Sequence, residues 1–253
     1  MCGRFFRHEV TWAEYHDALD LIPPEGVAPP EATYNAAPTT IQPVIRRAEH
    51  AGHVEMAPAR WGLIPSWWTK PLSEMKFSTF NAQAETAAEK PVFRGAFRHK
   101  RCLVPVSGFY EWAGAKGTKI PFAIGLRNRR WFCLAGLWDS ALIDGSEIQS
   151  FTILTTKPND LMAGLHTRMP VIVSPEDYAT WLDPAAGDPK QFSSTDPGSL
   201  TREPARKKAG RASCPASFPT RIAPGLEIPA QLGTISARLV DEAGQVVEVD
   251  GAC

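Results

Sequence analysis

At 253 residues the chain has room for one large domain or a domain with a tail, and its 43% hydrophobic and 21% charged content is ordinary for a globular protein. Its 27 basic and 27 acidic side chains cancel, so no global field draws it to nucleic acid, and any such contact must come from a local patch. Five cysteines, at 2, 102, 133, 214 and 253, form no Cys-x-x-Cys pair and no even framework, which fits a reducing compartment. No export leader and no membrane-length apolar run is visible, so a cytoplasmic protein without a membrane partner is expected.

The chain opens Met1-Cys2-Gly3-Arg4-Phe5. Removal of the initiator methionine, by an aminopeptidase or by the protein itself, would leave Cys2 with an amine and a thiol on adjacent carbons. Such a 1,2-aminothiol attacks an aldehyde as amine and closes through sulfur to a thiazolidine. It also attacks amides or esters as a thiolate. Thr11-x-x-Glu14 then reads as a capping box opening a short helix with Trp12, Tyr15 and Leu19 at near-helical spacing. Pro23-Pro24-Glu25-Gly26 ends it. Extended segments are expected at 41–46 and 54–63, separated by a turn at 50–53. Trp61-Gly62-Leu63-Ile64-Pro65-Ser66-Trp67-Trp68 is an aromatic loop, either a core lid or a stacking platform for bases.

Phe80-Asn81 starts a segment read as a short helix, and Arg94, Arg98, His99, Lys100 and Arg101 form the one local basic cluster. From 102 to 156 the pattern is a meander of strands, with turns at 114–119, Asn128 and Asp144-Gly145. Pro158 opens a small helix that delivers His166-Thr167-Arg168-Met169-Pro170, and Val171-Ile172-Val173 continues as a strand. Ser174-x-x-Asp177 caps a last helix through Trp181 and Leu182. Residues 185–229 are rich in Pro, Ser, Gly and Lys/Arg and read as an irregular tail. An isolated hairpin is expected at 238–249.

Three polar residues stand among the apolar segments. Glu111, between aromatic neighbours in Gly-Phe-Tyr-Glu-Trp, suits a general acid. His166 is a natural proton shuttle, and Asn81 is an amide at an element boundary. With Cys2 they supply nucleophile, acid, base and an orienting group.

Met-Cys-Gly-Arg-Phe, Tyr-Asn-x-Ala-Pro, Trp-Gly-Leu-Ile-Pro-Ser-Trp, Phe-Asn-Ala-x-Ala-Glu, Ser-Gly-Phe-Tyr-Glu-Trp and His-x-Arg-Met-Pro occur in that order. Over residues 2–183 this resembles the SOS-response-associated peptidase family of abasic-site-processing proteins. The resemblance implies an α+β fold: a single domain on a barrel-like, mostly antiparallel sheet with short peripheral helices, here residues 1–184, followed by the atypical tail 185–253. It implies a monomer that crosslinks to abasic sites in single-stranded DNA, with no cofactor and no metal. Cys2 would be the nucleophile, and Asn81 would hold sugar and cysteine in register. Glu111 would open the sugar ring, and His166 would assist opening and crosslink reversal. Arg4 and Arg168 would contact DNA, Trp67 and Trp68 would wedge beside the lesion, and Thr155 would line the site. Gln83 stands where the family carries a phosphate-binding arginine, which should weaken binding and shallow its salt slope by about one unit. Two rival readings are an N-terminal-nucleophile amidohydrolase and a non-catalytic single-strand binder.

Overall fold

A computed structural model describes residues 2–48, 52–114, 118–185, 200–208, 211–212, 236–240 and 246–249. Met1, the tips of the turns expected at 50–53 and 114–119, and most of the tail lie outside the described residues.

Among the described residues, alternating apolar residues in β-branched and aromatic runs give sixteen strands. They are β1 (Phe5–Arg7), β2 (Thr33–Ala36), β3 (Ile41–Arg47), β4 (Val54–Trp61), β5 (Asn81–Gln83), β6 (Arg101–Val106), β7 (Gly108–Ala113) and β8 (Ile120–Leu126). Then follow β9 (Phe132–Ile143), β10 (Ser146–Thr156), β11 (Met169–Pro170), β12 (Ile172–Val173), β13 (Leu200–Lys208), β14 (Arg211–Ala212), β15 (Ser236–Val240) and β16 (Val246–Val249). The described residues also form five short α-helices: α1 (Trp12–Leu19), α2 (Ala84–Ala87), α3 (Arg94–His99), α4 (Asp160–Ala163) and α5 (Tyr178–Leu182). Among the described residues no helix is long and apolar enough to cross a membrane.

Five of these strands close on themselves. β10 pairs with β4, β4 with β3, β3 with β6, β6 with β9, and β9 again with β10. Only the β10–β4 contact in this ring is parallel, with Phe151 opposite Trp61. Closure leaves those strands no edge to protect. The barrel-like, mostly antiparallel α+β domain expected from sequence is thus present.

Because side chains alternate along a strand, the ring has two apolar faces. Val44, Ala59, Trp61, Val104, Leu134, Phe151 and Ile153 gather with Phe5, Phe109 and Ile124 of the second sheet in one cluster. The alternate residues Ile45, Leu103, Cys133, Ala135, Leu137 and Leu154 meet the helices through Tyr15, Leu19, Ala87, Phe97 and Trp181. The second sheet runs β16-β15-β13-β8-β7-β1-β2. It joins the barrel at the β6–β7 corner, where the Ser107 amide donates to Phe6 O at 2.8 Å.

The capping box forms as the sequence predicts: Thr11 Oγ1 accepts from Glu14 N, and Glu14 accepts from Thr11 N at 2.8 Å. Asp144 and Gly145 have φ of 49° and 77°, the left-handed pair that a two-residue hairpin needs. Two local readings differ. Asn81 lies in strand β5, parallel to β10, rather than at a helix start. Ser174 makes no side-chain cap; a 3-10 turn over Pro175–Asp177 leads into α5 instead.

The tail also differs where it is described. β13 pairs with β8 from Leu200↔Leu126 to Pro204↔Phe122, and Leu200 is buried in the cluster that holds Cys2. The hairpin expected at 238–249 is present as β15–β16, but β15 also pairs with β13 instead of standing alone.

Candidate active site

The site begins with the anchoring of the N-terminal strand. Phe5 and Trp61, both fully buried, pack at 5.0 Å between ring centroids, and Trp61 stacks on Phe151 at 6.2 Å and 11°. Burying a phenylalanine contributes about 1.5–3 kcal/mol, and an aromatic pair adds about 0.5–1.5. Cys2 is therefore held three residues from a fixed point. β1 runs antiparallel to β7 with Phe5 opposite Phe109, and Tyr110 N donates to Arg4 O at 2.9 Å. That register carries Glu111 alongside the Cys2-Gly3 end of the chain.

Cys2 is fully buried and Glu111 is 3% exposed. Burial, and then the nearby Glu111 charge, push the Cys2 thiol far up, against a smaller opposing pull from the terminal amine and a bond to Arg4 O. The thiol is thus kept protonated. The Asn81 side-chain amide donates to Cys2 O at 2.8 Å, and its own Oδ1 has no hydrogen-bond partner among the described residues. Asn81 is placed by β5, whose preceding carbonyl, Phe80 O, accepts from Trp61 Nε1 at 2.8 Å and Ile153 N at 3.2 Å. Cys2, Asn81 and Glu111 are brought together.

His166 follows α4, whose cap is Asn159 Oδ1 accepting from Met162 N at 3.0 Å. Met162 and Met169 lie in the Cys2 cluster with Leu165 packed against it, so His166 and Arg168 rise from its wall. His166 N donates to Met162 O at 2.9 Å, and its Nδ1 accepts from Arg168 N at 3.0 Å. That bond assigns the neutral ring's proton to Nε2.

Arg168 is engaged through both terminal nitrogens, while its buried Nε has no hydrogen-bond partner among the described residues. It donates to both Glu85 oxygens at 2.9 and 2.7 Å, and to the carbonyl and hydroxyl of Thr155. These bonds hold the Glu85 carboxyl below the usual carboxylate range. Glu85 is the neighbour that sequence reasoning did not single out; its signal was its place at the end of the Phe-Asn-Ala-x-Ala-Glu motif, four residues after Asn81. Thr155, read as a DNA-binding position, is fully buried, with its hydroxyl donating to Ala82 O at 3.3 Å. It bears on the site through Arg168 and β5. Gln83, opposite Thr155, is exposed, and Arg4 is half-buried with no side-chain bond among the described residues.

The two tryptophans lie on the loop after β4. Ile64 N donates to Ser150 Oγ at 2.7 Å and Ser66 N to Asp139 Oδ2 at 2.8 Å, which pins the loop to β9 and β10. Trp68 packs against Ile64, Ala141 and Ile143, while Trp67 is 56% exposed. No group of three or more His, Cys, Asp or Glu suited to a metal occurs among the described residues.

The chain has known relatives. The family model for the SOS response associated peptidase (SRAP) matches residues 1–207. The chain belongs to that family. Among SRAP relatives, abasic site processing protein YoqW of Bacillus subtilis (strain 168) is 37% identical over 201 residues, covering 77% of this chain and 85% of YoqW. Abasic site processing protein YedK of Escherichia coli (strain K12) is 31% identical, covering 72% and 79%. Abasic site processing protein HMCES of Xenopus tropicalis is 30% identical, covering 60% of this chain and 54% of HMCES. A crystal structure of a protein from Bordetella bronchiseptica superposes with a TM-score of 0.70 at 27% identity, over 81% of this chain and all of that one. The SRAP match runs through β13, beyond the resemblance at 2–183.

Proposed function

We propose that this protein processes abasic sites in single-stranded DNA inside the cell by linking covalently to them through Cys2, acting as a monomer without cofactor. The observation that carries the reading is the Asn81 bond to Cys2 O at 2.8 Å beside a buried Glu111. It supports reading Cys2 as the aminothiol, Asn81 as its orienting amide and Glu111 as the proton carrier.

Loss of Met1 frees the Cys2 amine. The abasic sugar rests as a closed hemiacetal, so its ring oxygen must gain a proton, and the C1′ hydroxyl lose one, before the aldehyde appears. Glu111 is the group for this exchange, with His166 Nε2–H as assisting donor. The amine then adds to the aldehyde carbon and the carbinolamine expels one water to give the imine. The thiol sulfur adds to the imine carbon and its proton passes to nitrogen, closing the thiazolidine. Arg4 and Arg168 attract phosphates, with Gln83 leaving one cation fewer, while Trp67 and Trp68 stack beside the lesion. SRAP relatives named for abasic site processing support the substrate.

Incubation with abasic single-stranded DNA should give an adduct that survives denaturant. Cys2→Ala and a form that keeps Met1 should give none, and Glu111→Gln should form it about 10²–10⁴ times more slowly. An undiminished adduct from the Met1-bearing form would overturn the mechanism. Binding without any adduct would favour a non-catalytic single-strand binder.

A further inference from the structure

The rim beside Asn81 is built from three strands whose register places its side chains. On β10, Ile153 stands opposite Asn81 and Thr155 opposite Gln83 of β5, while Thr155 and Thr156 face Pro170 and Met169 of β11. Gln83 is exposed but uncharged, and Arg168 is bound to both Glu85 oxygens, a pair that carries no net charge. The residue that leaves β10, Lys157, is exposed and joins no ion pair among the described residues, with Asp160 or any other carboxylate. Its backbone is nevertheless fixed. Thr156 is still in the ladder, and Pro158 holds the residue before it extended. Asn159 N then donates to Met169 Sδ at 3.3 Å, and Asn159 Oδ1 caps α4. Arg168 does most to hold the Glu85 carboxyl low, and the Lys157 charge adds a smaller pull in the same direction, so the ammonium lies within electrostatic reach of that pair. Lys157 stands four residues past Ile153, which is ~13 Å along β10 from the level of Asn81, the residue whose amide holds Cys2 O. An ammonium on a fixed backbone and a flexible stem suits a phosphate as a point charge.

We propose that Lys157 holds a phosphodiester flanking the reacting sugar, and so supplies the net positive charge that this rim presents to a bound single strand. The inference rests on the single-strand reading above and names a binding residue of that same site. Such a contact fixes the register of the strand and reads no base. With Gln83 neutral and Arg168 neutralised by Glu85, the exposed ammonium is the rim's uncommitted cation among the described residues of β5, β10 and β11 and the turn after β10.

The test walks a neutral methylphosphonate, one linkage at a time, along an unreactive abasic-analogue single strand, with the affinity of the full-length protein read by fluorescence anisotropy. Native protein should lose affinity when a linkage beside the lesion is neutralised. Lys157→Gln should lose nothing further at that linkage while keeping the native losses elsewhere. Its own deficit on the unmodified strand should be about eightfold at 50 mM chloride and about fourfold at 150 mM, as one phosphate at a salt slope of roughly 0.7 requires. Lys157→Arg should restore both the affinity and the loss at that linkage, which separates charge from damage to the fold. Losses in Lys157→Gln that add to the native ones at every linkage, or an unchanged salt slope, would overturn the proposal. A native protein indifferent to every linkage would overturn the single-strand reading itself and the proposal with it, so the native profile tells the two failures apart.

Discussion

The Arg168–Glu85 pair shows how one carboxylate sets what a cation can offer. A bidentate guanidinium–carboxylate pair is the strongest geometry available to two such side chains, and here Arg168 also reaches Thr155. With Gln83 in place of a cation, the β5–β11 rim carries Arg168 already neutralised by Glu85. Under the proposed function, a phosphate would have to compete with Glu85 for that guanidinium. Glu85→Gln should therefore raise affinity for single-stranded DNA about two- to fivefold and steepen its salt slope by roughly 0.7, read by anisotropy across a chloride series. A loss of affinity would mean that Glu85 aims Arg168 rather than occupying it. The sequence made His166 and Arg168 visible as polar letters before a Pro-bounded strand. It hid that Glu85 lies against Arg168, because that contact spans 83 residues and no local pattern encodes it.

At the scale of elements, the β1–β7 pairing is what aims Glu111, and its tolerance is small. A Cβ at Gly108 would meet the Phe6 ring and lie 2.5 Å from the Ile124 carbonyl oxygen. The carbonyl belongs to the β7–β8 ladder and cannot swing aside. Overpacking of this kind costs about 1–3 kcal/mol, and each kcal/mol lowers Tm by roughly 2–4 °C for a domain of this size. Gly108→Ala should melt several degrees earlier and form adduct more slowly, since Glu111 is three residues on. An unchanged Tm in a thermal scan would show that the strands part freely there. Elements whose signals are local were legible: the Thr11–Glu14 box, the Asp144-Gly145 turn, and the strand runs of β6 to β10. Asn81 was legible as a polar boundary residue but not as a strand. Its partner Ile153 is a non-local, parallel match, and the three-residue β5 is too short to show a period.

The whole molecule couples these parts through burial, and two consequences follow. Cys2, Cys102 and Cys133 are free thiols with no exposure; burial pushes all three up, Cys133 to about 12. Unfolded thiols titrate near 8.5, so above that pH the unfolded chain binds fewer protons than the native one. Stability is full below about pH 8.5 and falls as pH rises toward the native values, by up to roughly 1.4 kcal/mol per pH unit for each thiol. Urea midpoints should decline between pH 8.5 and 10.5, and a flat profile would mean the thiols are not sealed.

The second consequence concerns β13, which the sequence concealed because few apolar residues mark it. Leu200 and Ala205 are buried among the strand's described side chains, while Thr201 and Arg202 are not. Five registered pairs tie it to β8, and Arg202 lies 5.3 Å from the centroid of the Phe122 ring. A chain ending at 184 would strip β8 of this partner and open the Leu200 site onto the cluster that contains Cys2. Removing a buried leucine alone costs about 2–5 kcal/mol, a large share of the roughly 5–15 kcal/mol that a domain has. A chain ending at 212 keeps the β13–β8 ladder. The shorter chain should lose ten degrees or more in Tm and most of its adduct with abasic single-stranded DNA, while the longer one should retain adduct formation. Equal melting and equal crosslinking by the two would mean that the domain closes before residue 185, and that β13 only lies against it.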